Sequence, residues 1–66
     1  MASSPASPGD VYFEHVRLGN SVKVSAVDAS SGLEVSIVGP ASASQKSLET
    51  LALRKLETAL ARRRGS

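Results

Sequence analysis

The sequence predicts a small α+β domain of β-β-β-α type, a three-stranded antiparallel β-meander with one C-terminal α-helix packed on one face. Two segments with alternating apolar and polar residues flank a turn-forming sequence within residues 22–38. A segment rich in β-formers precedes them at residues 11–18. A segment without Gly or Pro, with leucines at three- and four-residue spacing, follows at residues 48–63. We therefore expect a single domain over residues 11–64.

The first ten residues, MASSPASPGD, are rich in Ser, Pro and Ala and offer almost nothing to bury, which predicts a disordered N-terminal tail over residues 1–10. They show neither the basic nor the apolar region of a signal peptide. No apolar run in the chain approaches the roughly 20 residues that cross a bilayer. We expect a cytoplasmic protein without a membrane partner.

The size of the chain limits its core. At 66 residues, a domain buries only about 60% of the surface that its unfolded chain exposes. The sequence has no cysteine and a single histidine, which excludes disulfides and argues against a structural zinc site. We therefore predict no metal and no cofactor, and oligomerisation remains as the available support for so small a fold.

The first strand, VYFEHVRL, stops at Gly19-Asn20, a pair suited to a two-residue hairpin turn. Its register is open to two interpretations. A tight turn pairs Phe13 with Ala26 and turns Phe13 toward the core, whereas a three-residue turn would bring Val16 and Leu18 to that face. We favour the first, because the only Phe of the chain is its largest apolar side chain.

The second and third strands form the central hairpin. Val22, Val24 and Ala26 alternate with polar residues in one arm, and Leu33, Val35 and Ile37 do so in the other. Between the arms, Asp28 can accept from backbone N–H groups two or three residues on, and Gly32 can take the left-handed conformation that closes a four-residue loop. Gly39-Pro40 is predicted to end the third strand.

For the helix, Ser44 is the preferred N-cap, with Ser42 and Ser47 as alternatives. Glu49 lies near the start, where a negative charge suits the helix dipole, and Gly65 follows the last basic residues. The predicted core combines inward strand residues with one helix stripe: Phe13, Val22, Val24, Ala26, Val35, Ile37, Leu48, Leu51, Ala52, Leu56 and Leu60. Leu53 projects away from this stripe.

The outer face of the sheet is more apolar than a solvated sheet face usually is. It carries Val27 and Val38, joined in the favoured register by Tyr12, Val16 and Leu18. Together with Leu53 on the helix, these residues predict an interaction surface, most simply that of a two-fold homodimer, or else one for an unidentified protein partner. The predicted surface residues are Val16, Leu18, Val27, Val38 and Leu53.

The sequence carries no phosphate-binding glycine loop, no paired-histidine metal motif and no nucleophile elbow. His15 has Glu14 as its neighbour, but adjacent strand residues point to opposite faces and form no catalytic pair. Asp28 fits a turn cap better than a general acid or base. We therefore predict no catalytic residue and expect that the protein is not an enzyme.

Positive charge collects on the helix at Arg54, Lys55, Arg62, Arg63 and Arg64. Such a stretch can contact phosphates non-specifically, so an accessory nucleic-acid-binding protein is the alternative hypothesis. Cations at a helix C-terminus also complement the helix dipole, and the net charge of the chain is only +2. No aromatic stacking platform accompanies the arginines, so the dipole explanation is favoured.

The segment VKVSAVDASSGLEVSIVGP, followed by LETLALRKLETAL, resembles a family of very short, uncharacterised alphaproteobacterial proteins classed as a domain of unknown function. The similarity covers residues 11–63. Its recurring features correspond here to Lys23-Val24, to the turn from Asp28 to Gly32, to Glu34-Val35 and to the helix at residues 53–56. Ser31 stands where the family favours Thr. The resemblance implies a bacterial, cytoplasmic, single-domain protein and no known activity.

The function expected from the sequence is therefore limited to a class of protein. We expect a small non-catalytic protein-interaction module that self-associates. The biological process and the identity of any other partner do not follow from the residues.

Overall fold

The computed structural model describes residues 10–65 and confirms the predicted β-β-β-α fold. Three strands and one helix follow in chain order, β1 Val11–Leu18, β2 Ser21–Asp28, β3 Glu34–Pro40 and α1 Gln45–Gly65. The strands form one antiparallel sheet with β2 in the centre. Most of the predicted N-terminal tail, residues 1–9, lies outside the described residues.

The turn between β1 and β2 sets the register that the sequence favoured. Leu18 pairs with Ser21, so the connection has only two residues, Gly19 and Asn20. Gly19 has a φ of 61° and Asn20 a negative one, which is the pattern of a type II′ turn. Phe13 accordingly lies opposite Ala26, and the alternative register with Val16 turned inward is wrong.

The loop between β2 and β3 is built around Asp28. The Gly32 N–H donates to the Asp28 carbonyl oxygen at 2.8 Å, and the Asp28 N–H donates to the Leu33 carbonyl oxygen at 2.9 Å. Gly32 has a φ of 76°, a conformation that costs a residue with a Cβ. The predicted four-residue loop and both predicted turn residues are confirmed.

The predicted end of β3 at Gly39-Pro40 is confirmed, because Pro40 is the last residue of the strand and the helix begins at Gln45. The ladder explains why a proline is tolerated there. The Ala41 N–H donates to the Asn20 carbonyl oxygen at 2.8 Å, and hydrogen-bonded pairs alternate with non-bonded pairs along an antiparallel ladder. The neighbouring pair of Pro40 and Ser21 is therefore non-bonded. The proline nitrogen faces the outer edge, where no ladder donor is required.

The helix begins after Ser44, the preferred N-cap. The Ser47 N–H donates to Ser44 Oγ at 3.1 Å, and the Leu48 N–H donates to the Ser44 carbonyl oxygen at 3.1 Å. The predicted cap is confirmed. Glu49 lies beyond the first turn, which contains no acidic residue. The last turn carries the three predicted arginines, and the helix extends to Gly65.

The core lies between the sheet and one stripe of α1. Its buried apolar residues are Val24, Ala26, Leu48, Ala52 and Leu56. Phe13, Val22, Val35, Ile37 and Leu60 are partly buried against them. Leu51, which the sequence placed in the core, is 51% exposed. At 3.6 residues per turn, Leu48, Ala52 and Leu56 drift steadily away from Leu51, which is left on the rim of the stripe.

The helix is not centred on the sheet. It packs on β2 and β3 and leaves β1 largely uncovered. Six of the eight residues of β1 are consequently exposed, whereas β2 contains four buried residues. The first strand is therefore both an edge of the sheet and its least covered part.

Candidate functional site

The outer edge of β1 presents main-chain groups that the domain leaves available. The Ala29 N–H donates to the Asp10 carbonyl oxygen at 2.9 Å, which makes this a hydrogen-bonded pair of the β1–β2 ladder. Because bonded pairs alternate along the ladder, the even-numbered residues of β1 are bonded to β2. The N–H and C=O groups of Val11, Phe13, His15 and Arg17 therefore point away from the sheet.

No described residue closes this edge. Among the hydrogen bonds within residues 10–65, none reaches a main-chain N–H or C=O of Val11, Phe13, His15 or Arg17. The strand contains no proline and its pairing with β2 runs without a bulge. Such an edge is a template for pairing with a further strand.

The opposite edge, along β3, is obstructed at two of its four outward-facing residues, Ser36 and Pro40. Pro40 occupies an outward-facing position and has no N–H to offer. Lys55 reaches from α1 and donates through Nζ to the outward carbonyl oxygen of Ser36 at 2.7 Å. Proline and lysine are two of the devices with which natural sheets protect their edges. The two edges of this sheet are therefore not equivalent.

Exposed apolar side chains accompany the open edge. Tyr12, Val16 and Leu18 lie on the outer face of β1 and are 46%, 41% and 53% exposed. They are three of the five large hydrophobic residues that are exposed within residues 10–65. The other two, Val38 and Leu51, lie on β3 and on the helix. The apolar surface thus concentrates on the strand with the open edge.

The remaining predicted surface residues contribute less to this site. Val27 is only partly buried, and it pairs with Tyr12 across the β1–β2 ladder. Val38 is 65% exposed but lies on β3, the edge strand opposite β1. Leu53 is partly buried and is not a freely exposed helix residue. Of the five predicted positions, the structure brings Val16 and Leu18 together with the open edge.

Polar residues lie along the inner face of β1. His15 Nε2 is 3.0 Å from Glu49 Oε2 of the helix, and Gln45 Nε2 donates to the same oxygen at 3.2 Å. The Arg17 Nε donates to the Gly19 carbonyl oxygen. His15 is thus engaged with a carboxylate of the helix. The role of Glu49 in holding β1 to α1 was not predicted, because the pairing depends on the register of β1.

Asp28 serves the turn, as its sequence position predicted. Its carboxylate accepts from the Ser31 hydroxyl at 2.7 Å and from the Ser31 N–H at 3.0 Å. The Ser31 hydroxyl holds the pKa of Asp28 below its usual value, with the Ser31 N–H and then the charge of Arg64 acting in the same direction and burial acting against them. The carboxylate is therefore a structural acceptor that stays ionised at neutral pH.

The predicted phosphate-contacting residues do not form one surface. Arg54 and Lys55 are exposed in the middle of the helix, and Lys55 is engaged with Ser36. Arg62, Arg63 and Arg64 are exposed in the last turn. Three consecutive residues spread over more than half the circumference of a helix at 3.6 residues per turn. The cations are thus divided between the edge of β3 and the helix end.

Two further properties concern residues 10–65 as a whole. They contain no group of three or more His, Cys, Asp or Glu side chains placed to hold a metal ion. The helix α1 lacks an apolar stretch long enough to cross a membrane.

The sequence reasoning missed the two features that distinguish the sheet edges. Lys55 follows Leu48 by seven residues, which places both on the same side of the helix, but only the position of α1 over β3 brings its amine to Ser36. Pro40 was correctly predicted to end β3, but its outward-facing position on the ladder was not predicted. The regular alternation of inward- and outward-facing main-chain groups along β3 is the signal that places Pro40 at an outward position.

The comparisons with known proteins identify a family for this chain. No curated protein and no solved structure matches the chain. A family model described as Domain of unknown function (DUF6898) matches residues 8–63, which include the three strands and all but the last two residues of the helix. The chain therefore belongs to the DUF6898 family of domains of unknown function.

Proposed function

We propose that this protein is a non-catalytic protein-interaction module that associates with itself. One observation carries the proposal: the exposed apolar residues Tyr12, Val16 and Leu18 lie together on β1, the one strand whose outer edge no described residue closes. Exposed apolar side chains next to unpaired strand groups are typical of a surface that another chain covers.

The small core supports the same conclusion. Within residues 10–65, five apolar residues are buried, and two of them, Ala26 and Ala52, are small alanines. A single core in a chain of this length rarely supplies more than roughly 3–5 kcal/mol of stability, and association with a second copy adds to it. Self-association is therefore a source of stability as well as a function.

The test is the mass of the protein in solution. Sedimentation velocity from micromolar to millimolar protein is expected to show a concentration-dependent rise from one copy to two. Leu18→Lys places a charge on the exposed surface of β1 and is expected to weaken the association. Leu51→Lys is the matched control, since Leu51 is equally exposed, at 51% against 53%, but lies on the helix. A single-copy mass at every concentration would contradict the proposal.

Nucleic acid is the alternative partner, and the exposed arginines of the last helical turn are the observation in its favour. Binding carried by Arg62, Arg63 and Arg64 releases counterions, so the affinity for a random duplex or single strand would fall steeply with salt. Replacing the three arginines by Ala would weaken it further. The absence of salt-dependent binding at micromolar protein removes this alternative.

We also place the protein in the bacterial cytoplasm. The absence of cysteine from the sequence supports a reducing compartment.

A non-catalytic role is supported by His15, whose side chain is engaged with Glu49, and by Asp28, whose carboxylate accepts hydrogen bonds from Ser31. Turnover of a substrate that is lost in His15→Ala would overturn this part of the proposal.

A further inference from the structure

We propose that β1 pairs antiparallel with β1 of a second copy about a two-fold axis perpendicular to the sheet, with His15 opposite its equivalent. The two three-stranded sheets become one six-stranded sheet that carries both helices on the same face. This inference rests on the proposed self-association and specifies the surface and the geometry through which it occurs.

The first argument is the difference between the two edges. The N–H and C=O groups of four alternate β1 residues point outward along a strand about 27 Å long, at about 3.4 Å per residue. The edge of β3 is interrupted at Pro40, which has no N–H, and at Ser36, whose carbonyl oxygen accepts from the Lys55 amine. Only β1 therefore offers a continuous run of donors and acceptors. Pairing of like edges also closes after two copies, because both outer edges of the six-stranded sheet are then β3 edges.

The second argument concerns the register. Hydrogen bonds in an antiparallel pair join directly opposed residues. The residues of one β1 whose N–H and C=O groups point outward must therefore lie opposite the corresponding residues of the other β1. Registers centred on Glu14, on His15 or on Val16 meet this condition with most of the strand paired. The first places two Glu14 carboxylates opposite each other, and the third pairs only residues 14–18 and leaves Tyr12 and Phe13 opposite the Gly19-Asn20 turn. Like charges directly opposite each other destabilise a strand pair.

The register centred on His15 avoids both conflicts. On the outer face, it places Tyr12 opposite the second copy's Leu18 and Glu14 opposite the second copy's Val16. On the inner face, it places Phe13 opposite the second copy's Arg17, where a guanidinium can lie against an aromatic ring. Each His15 is already within 3.0 Å of the Glu49 carboxylate in its own chain. A carboxylate of its own chain thus lies beside each of the two opposed imidazoles.

The third argument is that the pairing covers exposed apolar side chains of β1. Aromatic and aliphatic side chains opposite each other on neighbouring strands interact favourably. Tyr12 and Leu18 are 46% and 53% exposed in one chain, and the pairing brings each against the other in the second copy. It also places the two β1 strands side by side in the centre of the six-stranded sheet. The strand that is least covered in the single chain therefore becomes the centre of the assembly.

The experiment is amide hydrogen exchange by NMR on the unmodified chain. The N–H groups of Phe13, His15 and Arg17 have no hydrogen-bond acceptor among residues 10–65 in a single copy, and they are hydrogen-bonded in the proposed pair. When nine-tenths of the chains are paired, their exchange is expected to slow about tenfold relative to dilute protein. The N–H groups of Glu14 and Val16, bonded to β2 in both states, serve as the internal reference.

A mixed-label sample determines the register. Chains labelled with different isotopes are combined, and contacts between α-protons of different copies are recorded. The proposed register predicts a contact between Glu14 and the second copy's Val16, because non-bonded opposed residues bring their α-carbons within about 4.5 Å. A contact between two Glu14 or between two Val16 residues would overturn the register, because these contacts belong to the two competing registers.

One variant pair isolates the main chain. His15→Pro and His15→Ala both remove the imidazole, but only the proline also removes the outward N–H. At an outward position the proline costs no bond to β2. It is expected to weaken dimerisation about 5- to 150-fold more than the alanine, since two central hydrogen bonds are lost. Equal dimerisation of the two variants would overturn the inference.

The outcomes separate this inference from the proposed function. Two copies in solution with slowed exchange at Phe13, His15 and Arg17 support both. Two copies with unchanged exchange at these positions overturn the edge pairing and leave self-association standing. A single-copy mass at millimolar protein overturns both.

Discussion

The side chain of Lys55 donates from the helix to the main-chain carbonyl oxygen of Ser36 at the outer edge of β3, at 2.7 Å. This contact joins elements that are 19 residues apart and fixes which edge of the sheet is closed. The helix lies over β2 and β3, so the Lys55 amine reaches the outward main chain of β3, whereas among residues 10–65 the helix contact to β1 joins the Glu49 and His15 side chains. The position of one helix thus determines both the protected edge and the open one.

The first prediction compares two leucines of the helix. Leu56 is fully buried and Leu51 is 51% exposed. Leu56→Ala is expected to lower the free energy of unfolding by about 2–5 kcal/mol, which leaves much of so small a protein unfolded. Leu51→Ala is expected to change it by about 0.5 kcal/mol or less. Urea denaturation followed by circular dichroism measures both, and equal losses would contradict the burial pattern.

The strands and their pairing followed from the sequence because local chemistry determines them. Gly19-Asn20 fits a two-residue turn, and once the turn is tight the alternation of β1 leaves one register with Phe13 inward. The loop from Asp28 to Gly32 is likewise a local structure. Its hydrogen bonds join residues that are at most five positions apart, so the residue types in the turn were sufficient to predict it.

The site was only partly predictable, because it depends on where the helix lies. Val16 and Leu18 were identified as surface residues from alternation alone. The exposure of Leu51, the partial burial of Leu53 and the contact of Lys55 depend on the lateral position of α1 over β2 and β3. Helical periodicity defines the buried stripe of a helix to within about one residue on either side. Tertiary packing then determines which of the residues at the edge of the stripe are buried.

The second prediction concerns the closest approach of the helix to the sheet. A Cβ at Gly39 would collide with the Leu48 side chain, which is buried and has little room to move. Gly39→Ala is therefore expected to lower the free energy of unfolding by about 1–3 kcal/mol through overpacking. Gly39→Ala combined with Leu48→Ala relieves the collision, and the two losses are then expected to be less than additive. Thermal or urea denaturation measures them, and strict additivity would contradict the contact.

The third prediction concerns acid. The pKa of Asp28 is lowered chiefly by the Ser31 hydroxyl, so the ionised carboxylate contributes stability that is complete above about pH 4 and is lost as the pH falls below this value. Ser31→Ala removes the hydroxyl donor and is expected to raise the pKa of Asp28 toward its usual value. Ser30→Ala, at the neighbouring exposed position, is the control.

The pKa of Asp28 can be measured directly. NMR titration of its carboxyl carbon is expected to show a midpoint below that of an unstructured peptide in the unmodified chain and in Ser30→Ala. In Ser31→Ala the midpoint moves upward. An unchanged midpoint in Ser31→Ala would show that the hydroxyl does not hold the carboxylate.

The last prediction returns to the closed edge. Lys55→Ala frees the outward carbonyl oxygen of Ser36 and removes a charge from the edge of β3, while the exposed position of the lysine limits the loss of stability to about 1 kcal/mol or less. With β3 less protected, its edge can also accept a strand, so assembly no longer stops at two copies. The mean mass from light scattering is therefore expected to exceed that of the unmodified protein at the same high concentration. Lys55→Arg keeps a cationic donor at this position and is expected to behave as the unmodified chain. If Lys55→Ala and Lys55→Arg give the same mass at every concentration, the contact with Ser36 does not protect the edge.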